Sequence, residues 1–174
     1  MSGLPPHWRP AQDELKNKTI LSTGATEGIG RAVALACARL GAEVLLTGRN
    51  EAALESVYDT ILNEGGRTPG LIPFDLRVTQ HEPYDELAET LLAEGLAIDG
   101  LVHNAGVLGE RRALSQTSPE SWQEVLQVNI TATFLLTRAL MPLLERASLA
   151  SIVLTSSGVG RRGKAFWGAY AVSK

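Results

Sequence analysis

Short apolar runs alternate along the chain with longer stretches in which apolar positions recur at helical spacing. The runs at 19–22, 43–47, 71–74, 100–103 and 151–155 have the length and composition of strands. Between the first two, Ile29, Val33, Ala36, Cys37 and Leu40 gather on one face of a helix, which makes Cys37 a core residue and not a reagent. Behind Asn50, a side chain suited to capping, Leu54, Val57, Tyr58 and Ile61 align in a second helix that stops at Gly65-Gly66. A third uses Tyr84, Leu87, Leu91 and Leu92. The fourth opens on Ser118 and Pro119 and runs through Leu126, Ile130, Phe134 and Leu140, with Pro142 expected to bend or end it. Strands and helices in strict alternation predict an α/β fold, a Rossmann-type doubly wound parallel sheet in three α/β/α layers. Pro73 would remove a ladder donor, so its strand belongs at an edge, which is where the order 3-2-1-4-5 puts it.

Composition changes this picture mainly by exclusion. A chain of 174 residues, 44% hydrophobic, predicts one domain beginning near Thr19, preceded by a tail over 1–18 in which Pro5, Pro6 and Pro10 disfavour a helix. A net charge of -3 offers no basic field for nucleic acid or an anionic membrane surface. No apolar run is long enough to span a bilayer, and the first 18 residues lack the apolar core of a secretion signal. A single cysteine excludes an intrachain disulfide and a cysteine zinc site and suits a reducing compartment, so the protein reads as cytoplasmic. His7, His81 and His103 share no ligand spacing, so no metal is expected. There is no GxxxxGK loop and no GxSxG elbow, and Trp122, Trp167 and Tyr170 do not interleave with a basic stripe.

The chemistry begins where the first strand meets the first helix, at Thr23-Gly24-Ala25-Thr26-Glu27-Gly28-Ile29-Gly30. A diphosphate bound at a helix N-terminus needs such a loop. Gly24 permits the tight turn, Gly28 lets the backbone approach the phosphates, and Gly30 lets the helix pack closely; Thr26, Glu27 and Ile29 fill the places between. After the second strand, Thr47-Gly48-Arg49-Asn50 offers no carboxylate for a free ribose 2'-hydroxyl, and the Arg49 fork suits a 2'-phosphate. NADP is therefore favoured, with NAD as the alternative and a solvated helix-start charge as the other role open to Arg49.

The glycine spacing resembles the TGxxxGxG fingerprint of short-chain dehydrogenases/reductases. Further matches fall in that family's order: His103-Asn104-Ala105-Gly106, Asn129, Ser156-Ser157, and Tyr170-Ala171-Val172-Ser173-Lys174. The resemblance covers nearly all of the chain from residue 19, and HNAG with WGAYAVSK is similar to the wording of one group of bacterial oxidoreductases. It implies an NADP(H)-dependent exchange of hydride with a small carbonyl or secondary alcohol substrate. Tyr170 would be the acid/base. Lys174, at i+4, would favour the phenolate and hold the nicotinamide ribose. Ser157, 13 residues before the tyrosine, would hold the carbonyl oxygen. Asn129 would bend its helix and position a water that links the lysine to solvent. Asn104, Ala105 and Gly106 would border the adenine ribose, while Asp75 and Leu76 would meet the adenine, although Asp75 is equally suited to forming a turn. Members of the family commonly run to about 250 residues. The rest of the tyrosine helix, two more strands and the substrate loop would then follow Lys174, and homodimers or homotetramers are expected of the full-length form. Only Leu108, Val159, Phe166 and Trp167 suggest a substrate wall, an apolar one. The competing reading is a short protein or fragment that binds dinucleotide without turnover, as a sensor, partner or remnant.

Overall fold

The computed structural model describes residues 9–174, so Pro5, Pro6 and His7 lie outside the described residues. Five strands form one parallel sheet: β1 (Thr19–Thr23), β2 (Glu43–Gly48), β3 (Gly70–Pro73), β4 (Gly100–His103) and β5 (Ser151–Leu154). Their order is β3-β2-β1-β4-β5, with Pro73 on the edge strand opposite Gly48. Each strand sits within one residue of its expected bounds. The helices are α1 (Gly28–Arg39), α2 (Glu51–Asn63), α3 (Glu82–Ala93), α4 (Pro119–Leu126), α5 (Ala132–Glu145), α6 (Gly158–Arg161) and α7 (Gly168–Ser173).

A parallel sheet is covered on both faces, and successive strand residues feed opposite layers. Ile20, Val44 and Leu46 pack under Ala34, Leu35 and Ala38 of α1 and Leu54, Val57 and Ile61 of α2. Leu21, Leu45, Ile72 and Leu101 pack on the other side against Tyr84 and Leu91 of α3 and Leu136, Leu140 and Leu143 of α5. Upstream of β1, Leu15 packs on the α1 side, and its amide donates to the Leu40 carbonyl at 2.9 Å. Lys18 and the Thr19 amide both bond the Asp99 carboxylate, at 2.8 and 3.0 Å, which ties the start of β1 to the start of β4.

Two helix faces differ from expectation. On α1 the buried positions are Gly30, Ala34, Leu35 and Ala38, while Ile29 is 65% exposed and Ala36 faces solvent. The segment is apolar nearly all round, so spacing alone does not select a face, and the small residues win the side where the helix lies closest to the sheet. Cys37 is half-buried, and desolvation raises its thiol pKa, which keeps it protonated and unreactive. The fourth helix is interrupted. Asn50 and Ser118 cap as read, accepting from the Ala53 and Ser121 amides at 3.1 Å each. Between α4 and α5, however, Gln127–Thr131 forms a π-helical turn. Across it Ile130 and Phe134 are exposed, while Val128, Asn129, Ala132 and Leu136 are buried, the face that continues from Val125 at helical spacing. Nor does Pro142 end α5, which continues to Glu145. No helix among the described residues is long and apolar enough to cross a membrane.

Candidate functional site

The carboxyl ends of β1, β2, β3 and β4 open onto a cleft of about 350 Å³. Its base is the β1–α1 turn. Gly24 (φ 63) and Gly28 (φ 53) hold left-handed backbone that side-chain-bearing residues avoid, and a Cβ on Gly24 would come within 2.9 Å of the Ala105 Cα. A Cβ on Gly30 would collide with the Gly24 carbonyl and the Asn104 amide, so this glycine serves close approach between turn, helix and the β4 end. Gly30 itself lies beneath the cleft, not in its wall. Glu27 stands at the N-cap of α1 but makes no side-chain cap, and the first turn contains no acid. The leading amides of a 12-residue helix are thus open to an anion.

Across the cleft, the Thr23 hydroxyl accepts from the Asn104 and Ala105 amides at 3.1 Å each and donates to the Val102 carbonyl at 3.3 Å. This clamps the β4 end to the turn. At the far end Arg49 is exposed and has no partner among the described residues, beside a hollow bordered by Thr26, Glu27 and Asn50. Phe74, Asp75, Leu76 and Arg77 form the neighbouring wall. Asp75 does form a turn, accepting from the Arg77 amide at 3.0 Å, and it also lines the cleft. Arg77 is tied to Glu124 of α4. Thr47 also borders the cleft, with a buried hydroxyl that has no partner among the described residues.

At the other end Tyr170 and Lys174 enter the cleft from α7. The Lys174 ammonium lies 5.8 Å from the Tyr170 ring centroid, donates to the Thr155 carbonyl at 3.0 Å, and is 3.3 Å from where a Gly106 Cβ would stand. Its burial lowers the lysine pKa, by desolvation of the charged form. Asn129, in the π turn and 8% exposed, supports this end from behind. Its Oδ1 accepts from the Val107 amide at 2.8 Å, while its Nδ2 donates to the Val107 carbonyl at 3.0 Å and to Ser173 Oγ at 2.8 Å. Asn129 therefore fastens α7 to the loop after β4 without itself lining the cleft. Ser157 also lies outside the cleft wall, at the N-cap position of α6, where its side chain makes no cap bond; Ser156 Oγ donates to the Lys174 carbonyl at 2.9 Å.

Thirteen of the residues singled out from the sequence line this one cleft: Gly24, Thr26, Glu27, Gly28, Ile29, Arg49, Asp75, Leu76, Asn104, Ala105, Gly106, Tyr170 and Lys174. Thr47 and Gly48, from the run that holds Arg49, line it too, as do Phe74, Arg77, Val107, Val128 and Thr155, which carry no motif. His103 is structural. It is 6% exposed, and Thr137 donates its one hydroxyl hydrogen to Thr133 at 2.7 Å, so the 2.8 Å contact to Thr137 makes His103 Nε2 the donor. Burial lowers the imidazole pKa to about 4.

The family model for short chain dehydrogenases matches residues 18–174. This chain belongs to that family. It is 48% identical over 168 residues to the uncharacterized oxidoreductase YciK of Escherichia coli, covering 97% of this chain and 67% of YciK. A short chain dehydrogenase from Shigella flexneri, solved with NADP, superposes with a TM-score of 0.91 at 47% identity, over 94% of this chain and 69% of that one. Another from Escherichia coli, solved with NADPH, gives 0.91 at 48% identity, over 94% of this chain and 68% of that one. A curated relative from Monascus ruber, the short chain dehydrogenase pigC, is 31% identical and is spanned over 55% of its length. The chain thus spans between about half and about two thirds of the length of these relatives.

Proposed function

We propose that this chain carries the cofactor cleft and the acid/base group of an NADP(H)-dependent oxidoreductase that exchanges hydride with a carbonyl or secondary alcohol. The observation that carries the reading is the continuity of one cleft, from the unpaired Arg49 guanidinium at one end to Tyr170 and Lys174 at the other. The uncapped N-terminus of α1 fits a diphosphate in the middle, and the orphaned Thr47 hydroxyl fits a polar partner at the adenosine end. NADP in one relative's structure and NADPH in another's support the same choice of cofactor over NAD.

In this reading the amides of the glycine turn hold the diphosphate, Arg49 pairs with the 2'-phosphate, and Asn104 to Gly106 flank the adenosine ribose. The nicotinamide, when bound, supplies or accepts the hydride. Tyr170 gives the proton to the carbonyl oxygen in reduction and removes it in oxidation. Lys174, whose ammonium lies 5.8 Å from the Tyr170 ring centroid, holds the nicotinamide ribose. Ser157 steadies the carbonyl oxygen, and Asn129 keeps α7 in position and orders the water through which the lysine reaches solvent. The assembly is a homodimer or homotetramer, a reading supported by the exposure of Ile130 and Phe134 on the long helix.

Tyr170→Phe is the test. It should abolish ketone-dependent NADPH oxidation by the oxidoreductase while NADPH affinity stays within about twofold, because the hydroxyl is used in the reaction and not in holding the cofactor. Turnover equal to the parent would remove Tyr170 as the acid.

A further inference from the structure

Beside Tyr170, at Trp167, lies a charge pattern outside the wall of the cofactor cleft. The Trp167 indole lies 5.8 Å from the Tyr170 ring, and two cations stand over it: the Arg111 guanidinium at 5.7 Å and the Lys164 ammonium at 5.6 Å from its centroid. They come from segments more than 50 residues apart, the loop after β4 and the loop between α6 and α7. Both are exposed, and neither has a carboxylate partner among the described residues, whereas the adjacent Arg112 has Glu110 at 3.7 Å. Beyond Glu145 the sequence holds Arg146, Arg161, Arg162, Lys164 and Lys174 and no acidic side chain, in a chain whose net charge is -3. Phe166, between Lys164 and Trp167, holds left-handed backbone (φ 70), a costly conformation for a bulky residue that persists only where its surroundings impose it.

We propose that Arg111 and Lys164, seated over Trp167 beside Tyr170, form an anion-reading rim, and that the substrate is a carbonyl compound bearing a carboxylate or phosphate. The proposal rests on the reading of Tyr170 as the acid, since it is that phenol which fixes where the carbonyl lies. A flat substrate with its carbonyl at Tyr170 would lie along the Trp167 indole and carry its anionic group to the two cations. Each cation can leave its ring contact for a charge-assisted bond, because a solvated cation–π contact is weaker than pairing with an anion. Leu108, Val159 and Phe166 then form the apolar sides of a site with a charged end.

Calorimetry tests this with three ligands of one shape: acetophenone, 4-acetylbenzoate and 4-acetylphenyl phosphate, each titrated into protein already saturated with NADP+. Both anions should bind at least about tenfold more tightly than acetophenone, and raising the salt from about 0.02 M to about 0.3 M should shrink that advantage. The stronger of the two identifies the anionic group. Arg111→Gln combined with Lys164→Gln should bring the advantage below about twofold, with NADP+ binding to the variant as the check on its fold. Equal affinities, no binding of either anion, or an advantage that survives the double substitution overturns the proposal. Failure of the parent protein to bind NADP+ in the first titration instead overturns the cofactor reading beneath it, so the two failures are distinct.

Discussion

A buried histidine that stays neutral makes stability depend on acidity. His103 has its imidazole pKa lowered to about 4 by burial, whereas an unfolded histidine titrates near 6.5. Between these values the unfolded chain binds a proton that the folded chain refuses, so stability is unaffected above about pH 6.5 and falls as the pH drops toward 4. The shift amounts to about 3 kcal/mol over that window. Urea midpoints of the parent should fall more steeply between pH 7 and pH 4.5 than those of His103→Asn; parallel profiles would show that His103 is not the source. The role of this histidine was not legible in the sequence, because its partner Thr137 lies 34 positions away on α5. The same limit hid Phe74 and Arg77 from the cleft. They occupy ordinary strand ends and turns, and only the pairing of β2 with β1 and β3 brings them beside the glycine loop. Trp167 shows the converse: nearby sequence gives it an apolar reading, while Arg111 arrives through the fold.

The elements were more legible than the faces they present. Strand bounds follow from apolar runs and from Gly and Pro punctuation, and Asn50 and Ser118 each mark a helix start by one capping atom. The phase of the long helix was not legible. Its residues are apolar on several sides, so spacing leaves open which face packs, and Asn129 within the Gln127–Thr131 π segment is buried. Asn129 joins that segment to Val107 and Ser173 through three hydrogen bonds. Asn129→Ala should therefore cost about 2–3 kcal/mol, since the Val107 amide and carbonyl lose their partner. A change in the denaturation midpoint equivalent to less than about 0.5 kcal/mol would mean that the latch is not held by this side chain.

For the molecule as a whole, the two sheet edges are unlike. β3 ends in Pro73, which cannot extend the ladder, while β5 presents Ile152, Val153 and Leu154 at 44%, 52% and 63% exposure. The doubly wound architecture was legible in full from the alternation of elements, because parallel strands joined by helices leave few ways to arrange themselves.

The order β3-β2-β1-β4-β5 also bears on the chain's birth at the ribosome. β1 is synthesised first yet ends in the middle of the sheet, with β2 and β3 added on one flank before the path crosses to lay down β4 and β5 on the other. Until Gly100–His103 has emerged, the central strand keeps one open side, and its clamp from Thr23 to Asn104 and Ala105 cannot close. A nascent chain halted before residue 100 should thus hold half a sheet and recruit chaperones, and one extended past residue 105 should release them.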